Sequence, residues 1–371
     1  MKVLVLGGYG NFGARICRAL CADQTIELLV GGRSLARASA FANTLGHSAR
    51  GLAIDHTQEN LAHTLRGLGV QLLIHTAGPF QAQGYSVARA AAAAGAHYID
   101  LADGRRFVCD FAPALGATFE SAGLTAISGA STVPALSSAV VAHLCQDWQR
   151  IDSIDMCIAP AQTAPRGTAT IAGVLSYCGA PIAVWNQGQW QTQSGWAHPQ
   201  RQTFARLQPR WGALCDIPDL EHFPAHFGVA QRVMFRAALE VRLTQYAFAL
   251  LAKLRTCGLL RHPEKLASVL NFCAPALDFM GTALGGMVVR VQGQNAQGTA
   301  TQSAWHIAAD HDHGPEIPCM AAILLARRLA QGTAMPPGAF ACMGLLELAD
   351  FQPEFARWGM VTDTETTDLH N

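Results

Sequence analysis

Lys2-Val3-Leu4-Val5-Leu6-Gly7-Gly8-Tyr9-Gly10-Asn11-Phe12-Gly13 decides the fold. An apolar run of strand formers ends directly in a glycine turn. Ala14 to Cys21 then reads as a helix, with Ile16 and Leu20 on one face and Arg15 and Arg18 toward solvent. Strand, glycine turn and helix in that order make the Gly-x-Gly-x-x-Gly fingerprint of a dinucleotide site, with Gly8, Gly10 and Gly13 in its glycine positions. Gly8 permits the sharp turn. Gly10 lets bare backbone approach a pyrophosphate, and Gly13 lets helix and strand pack closely. N–H groups at the helix start, and the helix dipole, favour an anion there. The expected phosphate cradle is Gly8, Tyr9, Gly10, Asn11, Phe12 and Gly13.

The next strand, Glu27 to Val30, runs into Gly31-Gly32-Arg33-Ser34. NAD-binding folds place an acidic residue about here, on the ribose 2′-hydroxyl. This chain has Gly32 and then Arg33. Paired guanidinium N–H donors suit a 2′-phosphate, and Ser34 adds a hydroxyl. The expected cofactor is therefore NADP rather than NAD; the plainer reading of Arg33 is a solvated loop cation.

Further strands are expected at Gly51 to Asp55, Val70 to His75, His97 to Leu101 and Leu124 to Ser128, alternating with helices. That grammar predicts a doubly wound parallel sheet, whose strand-end loops line the ligand crevice. Asp55 ends one strand, beside an adenine edge or capping the next helix. Ala77, Gly78 and Pro79 follow another, bringing bare backbone near the cofactor. Asp103 follows the His97–Leu101 strand. It is the first candidate for the acid or base that hydride transfer requires, with a turn or helix-cap role as its alternative.

The pattern changes near Trp148. Ile151 to Ala159 reads as a strand and Thr168 to Tyr177 as a helix. Hairpins are expected around Asn186-Gln187-Gly188 and Asn295-Ala296-Gln297-Gly298. A second, mixed α+β domain with antiparallel hairpins follows. The expected partition is 1–147 for the dinucleotide domain and 148–335 for a substrate and dimerisation domain, which includes a helix at Ile317 to Leu329. The segment 336–371 returns to the first domain, with a frayed end from Asp363. His306, Asp310, His311, Asp312 and His313 cluster before Gly314-Pro315; adjacent residues seldom converge on one ion, so a turn is expected rather than a metal site. His311 and His313 are the other catalytic candidates, if they face the crevice. Tyr246 to Leu260 and Leu266 to Leu284 are unusually apolar, and read as core or subunit interface before lipid contact.

The chain has 371 residues, 50% of them hydrophobic and 14% charged, which supports a large core and excludes disorder. Lys+Arg and Asp+Glu both number 26, so no global field attracts nucleic acid or an acidic membrane. Eleven cysteines without a Cys-x-x-Cys pair suit a reduced, cytoplasmic protein rather than a disulfide or zinc scaffold. No apolar run reaches membrane-span length, and the first strand is too short for a signal peptide.

Residues 1 to about 145 resemble the saccharopine dehydrogenase family. The resemblance rests on Gly7–Gly13, on Gly32-Arg33-Ser34, on His75-Thr76-Ala77-Gly78-Pro79-Phe80, and on Ala94-Gly95-Ala96-His97-Tyr98-Ile99-Asp100-Leu101, in that order. It implies an NADP-type Rossmann domain with an inserted substrate domain, and hydride transfer to or from a carbon–nitrogen bond, or reduction of another double bond in a lipid. It also suggests a homodimer. Saccharopine itself carries several carboxylates. The second half offers Arg166, Arg201, Arg206, Arg210, Arg232, Arg236 and Arg242 without clustering, so a less charged substrate is expected. The rival reading is a dinucleotide-binding redox-sensing or assembly module without catalysis.

Overall fold

The computed structural model describes residues 1–46, 49–197 and 199–369. Its strands are β1 (Lys2–Leu6), β2 (Glu27–Gly32), β3 (Ala49–Ala53), β4 (Leu72–His75), β5 (His97–Asp100), β6 (Thr125–Ser128), β7 (Arg150–Ala159), β8 (Pro181–Asn186), β9 (Gln189–Ser194), β10 (Gln200–Gln202), β11 (Arg210–Leu214), β12 (Arg232–Ala237), β13 (Gly285–Gln294), β14 (Ala300–Ala309), β15 (Gly338–Ala341) and β16 (Val361–Asp368). The chain divides into two compact units. One comprises 1–135 and 316–345; the other comprises 136–315 and 346–371.

In the first unit a seven-stranded sheet runs β15-β6-β5-β4-β1-β2-β3. Each neighbouring pair is parallel. The inner strands β1, β2, β4 and β6 are buried almost end to end, as parallel strands covered on both faces must be, whereas the edge strand β3 has no buried residue. This is the expected doubly wound Rossmann sheet. Strand order reverses between β1 and β4, the topological switch point at which such sheets bind ligands. One side of the core packs Leu4, Leu73 and Tyr98 against Leu65, Ala91 and Phe111 from the intervening helices.

Helix α1 (Asn11–Leu20) follows the glycine turn, and α2 (Leu35–Asn43) follows β2. The helix Ile317–Ala330 belongs to this unit, not to the second domain where its position in the sequence suggested. Three contacts hold it to α1. Glu316 pairs with Arg15 at 3.0 Å, Cys319 Sγ donates to the Phe12 carbonyl, and Arg327 donates to the Ala19 carbonyl. None of them leaves a signal in local periodicity.

The second unit is built on a mixed sheet, β10-β11-β12-β7-β13-β14-β16, with β8 and β9 attached at β12. The hairpins lie where expected. Gln187 and Gly188 both take positive φ, 56° and 70°, which is what a tight two-residue hairpin loop requires. One pair, β7 with β12, is parallel. The residues from Asp363 to Asp368 are not frayed. Val361–Asp368 pairs along β14, with the Ser303 and Thr366 hydroxyls 3.0 Å apart and Asp363 chelated by Arg206 at 2.7 and 2.8 Å. Of the segment 336–371, the strand Gly338–Ala341 joins the first sheet, whereas 346–371 belongs to the second unit.

The apolar stretch is a helix at Arg242–Thr256, a short helix at Ala267–Cys273 and a 3₁₀ turn at Ala274–Met280. Phe248 and Ala252 are core. Leu243, Tyr246, Leu250, Leu259, Val269, Phe272, Phe279 and Met280 are exposed, Phe272 by 87% and Phe279 by 84%. The core reading therefore holds for one stripe only: fifteen helical residues present a single face inward, and this segment carries apolar groups on both faces. No described helix is long and apolar enough to cross a membrane.

Candidate functional site

The site is assembled at the carboxyl edge of the first unit's sheet, beginning with the glycine turn. Gly7 takes φ +83°, and the Gly7 and Gly8 N–H groups both donate to the Gly31 carbonyl, at 2.9 and 3.0 Å. The turn is thereby bolted to β2. A Cβ on Gly13 would stand 2.2 Å from the Gly7 carbonyl oxygen and 2.8 Å from Thr76 Oγ1, so helix, turn and β4 loop meet where only glycine fits. No side chain caps the first turn of α1, and no acidic residue stands in it. Bare backbone followed by an uncapped helix start is the donor set a pyrophosphate needs. Gly8, Tyr9, Gly10, Asn11, Phe12 and Gly13 thus fit the group expected of them.

The β2 end lies alongside. Arg33 is exposed. Ser34 caps α2, its hydroxyl accepting from the Arg37 N–H at 3.3 Å. Asp55 closes its own turn: Oδ1 accepts from the Thr57 N–H and hydroxyl at 3.0 and 2.8 Å. These bonds hold its carboxyl below the usual range, with His56 and Arg33 adding to the effect. Asp55 therefore caps a turn directly after β3.

The loop after β4 crosses the switch point. Thr76 donates both its N–H and its hydroxyl to the Leu6 carbonyl, each at 2.9 Å. Behind it lies a latch that sequence reasoning did not single out. His75 is buried, with Nδ1 accepting from the Ala77 N–H at 3.4 Å and Nε2 facing Gln83 Oε1 at 3.1 Å. Gln83 Nε2 in turn donates to the Ala77 and Pro79 carbonyls, at 2.8 and 2.9 Å. Ala77, Gly78 and Pro79 are thus held open toward the edge from beneath. Burial lowers the His75 pKa to about 4. The only sequence signal was a histidine ending a strand.

Asp100 is the second omission. It is buried at the end of β5, where Oδ1 accepts from the Ala102 and Gly129 N–H groups at 2.9 Å each and from the Ser128 hydroxyl at 3.0 Å. One carboxylate oxygen thereby fastens the β5 and β6 loops together. Burial raises its pKa to about 6, against the pull of those donors. Asp103, three residues on, is exposed. It does not cap the following helix, whose N-cap is Gly104; its carboxylate accepts from Gln81 Nε2 at 3.0 Å.

His311 and His313 belong to the second unit, in the turn between β14 and the Ile317 helix. His311 and Asp312 take positive φ. His313 Nδ1 lies 3.0 Å from the Trp358 carbonyl, with its ring edge-on to that indole. Asp312 accepts from the Thr163 hydroxyl at 2.6 Å. The structure therefore brings the glycine turn, Arg33, Ser34, Asp55, Ala77–Pro79 and Asp103 to one sheet edge, and sets the two histidines in a separate unit. Among the described residues no group of three His, Cys, Asp or Glu side chains is placed to hold a metal ion.

Sheet order, glycine cradle and β2 end define a Rossmann dinucleotide-binding domain. Residues 3–168 match the family model of the saccharopine dehydrogenase NADP binding domain. Over the full length the chain is similar in fold to two solved structures. One is saccharopine dehydrogenase (L-Glu forming) from Saccharomyces cerevisiae, 13% identical, covering 99% of both chains with a TM-score of 0.71. The other is a homospermidine synthase from Legionella pneumophila in complex with NAD, 12% identical, covering 99% of this chain and 91% of that one with a TM-score of 0.59. No curated relative matches the chain in sequence.

Proposed function

We propose that the chain transfers hydride between NADP and a carbon–nitrogen or other double bond of a small, weakly charged substrate. The first unit holds the cofactor and the second selects the substrate. The observation that carries the substrate class is the state of the seven arginines that the sequence offers for a polycarboxylate. Arg166 is paired with Asp278 at 2.5 Å, Arg206 with Asp363 at 2.7 Å and Arg210 with Glu240 at 3.5 Å. Arg232 and Arg236 share Asp155 at 2.6 and 3.4 Å. Arg201 and Arg242 remain from the set that a substrate with several carboxylates would call on. Guanidinium groups already neutralised by acids make a poor polyanion site.

The bound cofactor supplies the hydride. The protein supplies orientation and a proton. Gly10 and Gly13 let the pyrophosphate settle on the start of α1, and Arg33 with Ser34 takes the 2′-phosphate. Ala77, Gly78 and Pro79, propped by His75 and Gln83, shape the floor beyond. Asp103, on a strand-end loop of the same edge, is the group we assign to proton transfer, with His311 and His313 as its alternatives from the second unit. A second copy covers the apolar face of 243–280, in the cytoplasm.

Calorimetric titration with NADPH and NADH, on the parent chain and Arg33→Ala, tests the cofactor half. Tight NADPH, weak NADH and loss of that preference in the variant are expected. A screen following NADPH oxidation, with neutral imines and activated alkenes set against polycarboxylate imines, tests the substrate half. Turnover of the polycarboxylates alone would overturn the substrate class. Binding of neither nucleotide would overturn the whole reading.

A further inference from the structure

Gly32 does not simply lack a carboxylate. A Cβ built on it would meet Tyr9 Cε1 at 2.2 Å, Cζ at 2.7 Å and the phenol oxygen at 2.8 Å. The ring from the glycine turn fills the space into which any side chain at position 32 would have to project. It is also pinned there. The Ser34 N–H donates to the Tyr9 hydroxyl at 3.2 Å, and the Arg37 guanidinium lies over the ring face, 4.7 Å from its centroid. Arg37 stands in the first turn of α2, one helical turn from the cap Ser34, and is exposed. Tyr9 thus spans from the pyrophosphate turn to the β2 end and carries a second cation with it.

We propose that Tyr9 and Arg37 together set the NADP preference. Tyr9 is the gate that denies position 32 to an acidic residue, and Arg37, stacked on it, is the second guanidinium for the 2′-phosphate beside Arg33. The inference rests on the cofactor reading above and adds to it a residue that sequence reasoning did not select. A guanidinium on an aromatic face is oriented in advance and keeps its outward N–H donors, so it binds a phosphate with little further ordering. A carboxylate for a ribose 2′-hydroxyl would require the Tyr9 ring to leave its bond to Ser34 and its stack with Arg37, besides a change of residue.

The test is calorimetric titration of the full chain with NADPH, NADH and adenosine 2′,5′-bisphosphate, the last probing the phosphate subsite without the nicotinamide. Arg37→Ala is a surface change. It should weaken NADPH and the bisphosphate about tenfold or more, as loss of one charge-assisted phosphate contact implies, and leave NADH within about twofold. Gly32→Asp alone should bind neither nucleotide well, because the ring must leave its pinned position. Tyr9→Ala with Gly32→Asp should recover NADH binding above the level of Gly32→Asp. An unchanged preference in Arg37→Ala, with the parent chain still preferring NADPH, overturns this inference and spares the cofactor reading. So does Gly32→Asp gaining NADH as well as the double variant does. A parent chain that binds no nucleotide overturns both.

Discussion

The Gly13 Cα and the Gly7 carbonyl are in van der Waals contact across the first turn, so close that a single methyl at position 13 would lie 2.2 Å from that oxygen. The same methyl would press on Thr76 Oγ1, which is committed to the Leu6 carbonyl. The clash is with backbone that is itself bonded to β2, so no rotamer change relieves it. Gly13→Ala should therefore cost about 1–3 kcal/mol of stability from overpacking and remove nucleotide binding. Urea denaturation and calorimetry on the same sample check both. Normal NADPH affinity in the variant would show that helix α1 can retreat from the turn.

Asp100 should behave as a strut whose charge is unfavourable. Removing its side chain leaves the Ala102 and Gly129 N–H groups without their acceptor, so Asp100→Ala should cost about 2–4 kcal/mol. Asp100→Asn keeps an acceptor oxygen and should cost much less. Burial raises the folded pKa to about 6 from an ordinary 3.8. A carboxyl raised on folding binds its proton more tightly in the folded state. Its contribution is fully present below about pH 4 and is lost as pH rises through the folded value. Asn at position 100 should flatten the stability profile between about pH 4 and 6. An unaltered slope there would refute the assignment.

His75 carries the opposite sign. Its folded pKa, lowered to about 4 from 6.5 by burial, leaves the ring neutral at neutral pH. The unfolded chain takes up the proton first, so this contribution to stability is present above about 6.5 and is lost as pH falls toward 4. Protonation would also remove the lone pair that accepts from Ala77 and so release the Ala77–Pro79 loop. The C2 proton of His75 should show no titration in NMR above about pH 5. A midpoint near 6.5 would mean that the latch is open to solvent.

These latches show where sequence reading stops. Gly8, Gly10, Gly13 and the hairpin at Gln187-Gly188 are legible because each needs a backbone conformation or a closeness that restricts the residue type. The parallel sheet is legible because buried strands must alternate with covering helices. Tyr9 against Gly32, Gln83 beneath Pro79 and Glu316 on Arg15 pair residues far apart in the chain, and nothing local distinguishes them from ordinary surface or core residues. The residues from Asp363 read as a frayed tail because their composition is polar, yet they continue the strand Val361–Asp368. Its order comes from hydroxyl and guanidinium partners on β14 and the 203–208 segment, which composition does not reveal.

The exposed apolar face of 243–280 should be covered by a second copy. Its eight large side chains each offer on the order of 100–200 Å². Together that is on the order of 1,000 Å², above the roughly 800 Å² that each partner contributes to a stable interface. Light scattering on the parent chain should give twice the monomer mass. Phe272→Asp with Phe279→Asp should give the monomer mass with little change in thermal stability, since neither ring is buried in the protomer. A monomeric parent chain that floats with liposomes would assign the face to lipid instead.

Asp103 is separable from the structural carboxylates because it is exposed and accepts from the Gln81 amide rather than tying strand-end loops together. If it moves the proton, Asp103→Asn should leave NADPH affinity and melting temperature unchanged while lowering kcat about 10²–10⁴-fold, the range a positioned acid or base contributes. The limb of the kcat pH profile that reports this group should vanish with it. Gln81→Ala should shift that limb rather than abolish it, because the amide stabilises the carboxylate without carrying the proton. If kcat stays within about threefold, far short of a lost acid or base, the proton belongs to His311 or His313. The same two measurements on His311→Gln and His313→Gln then decide between them.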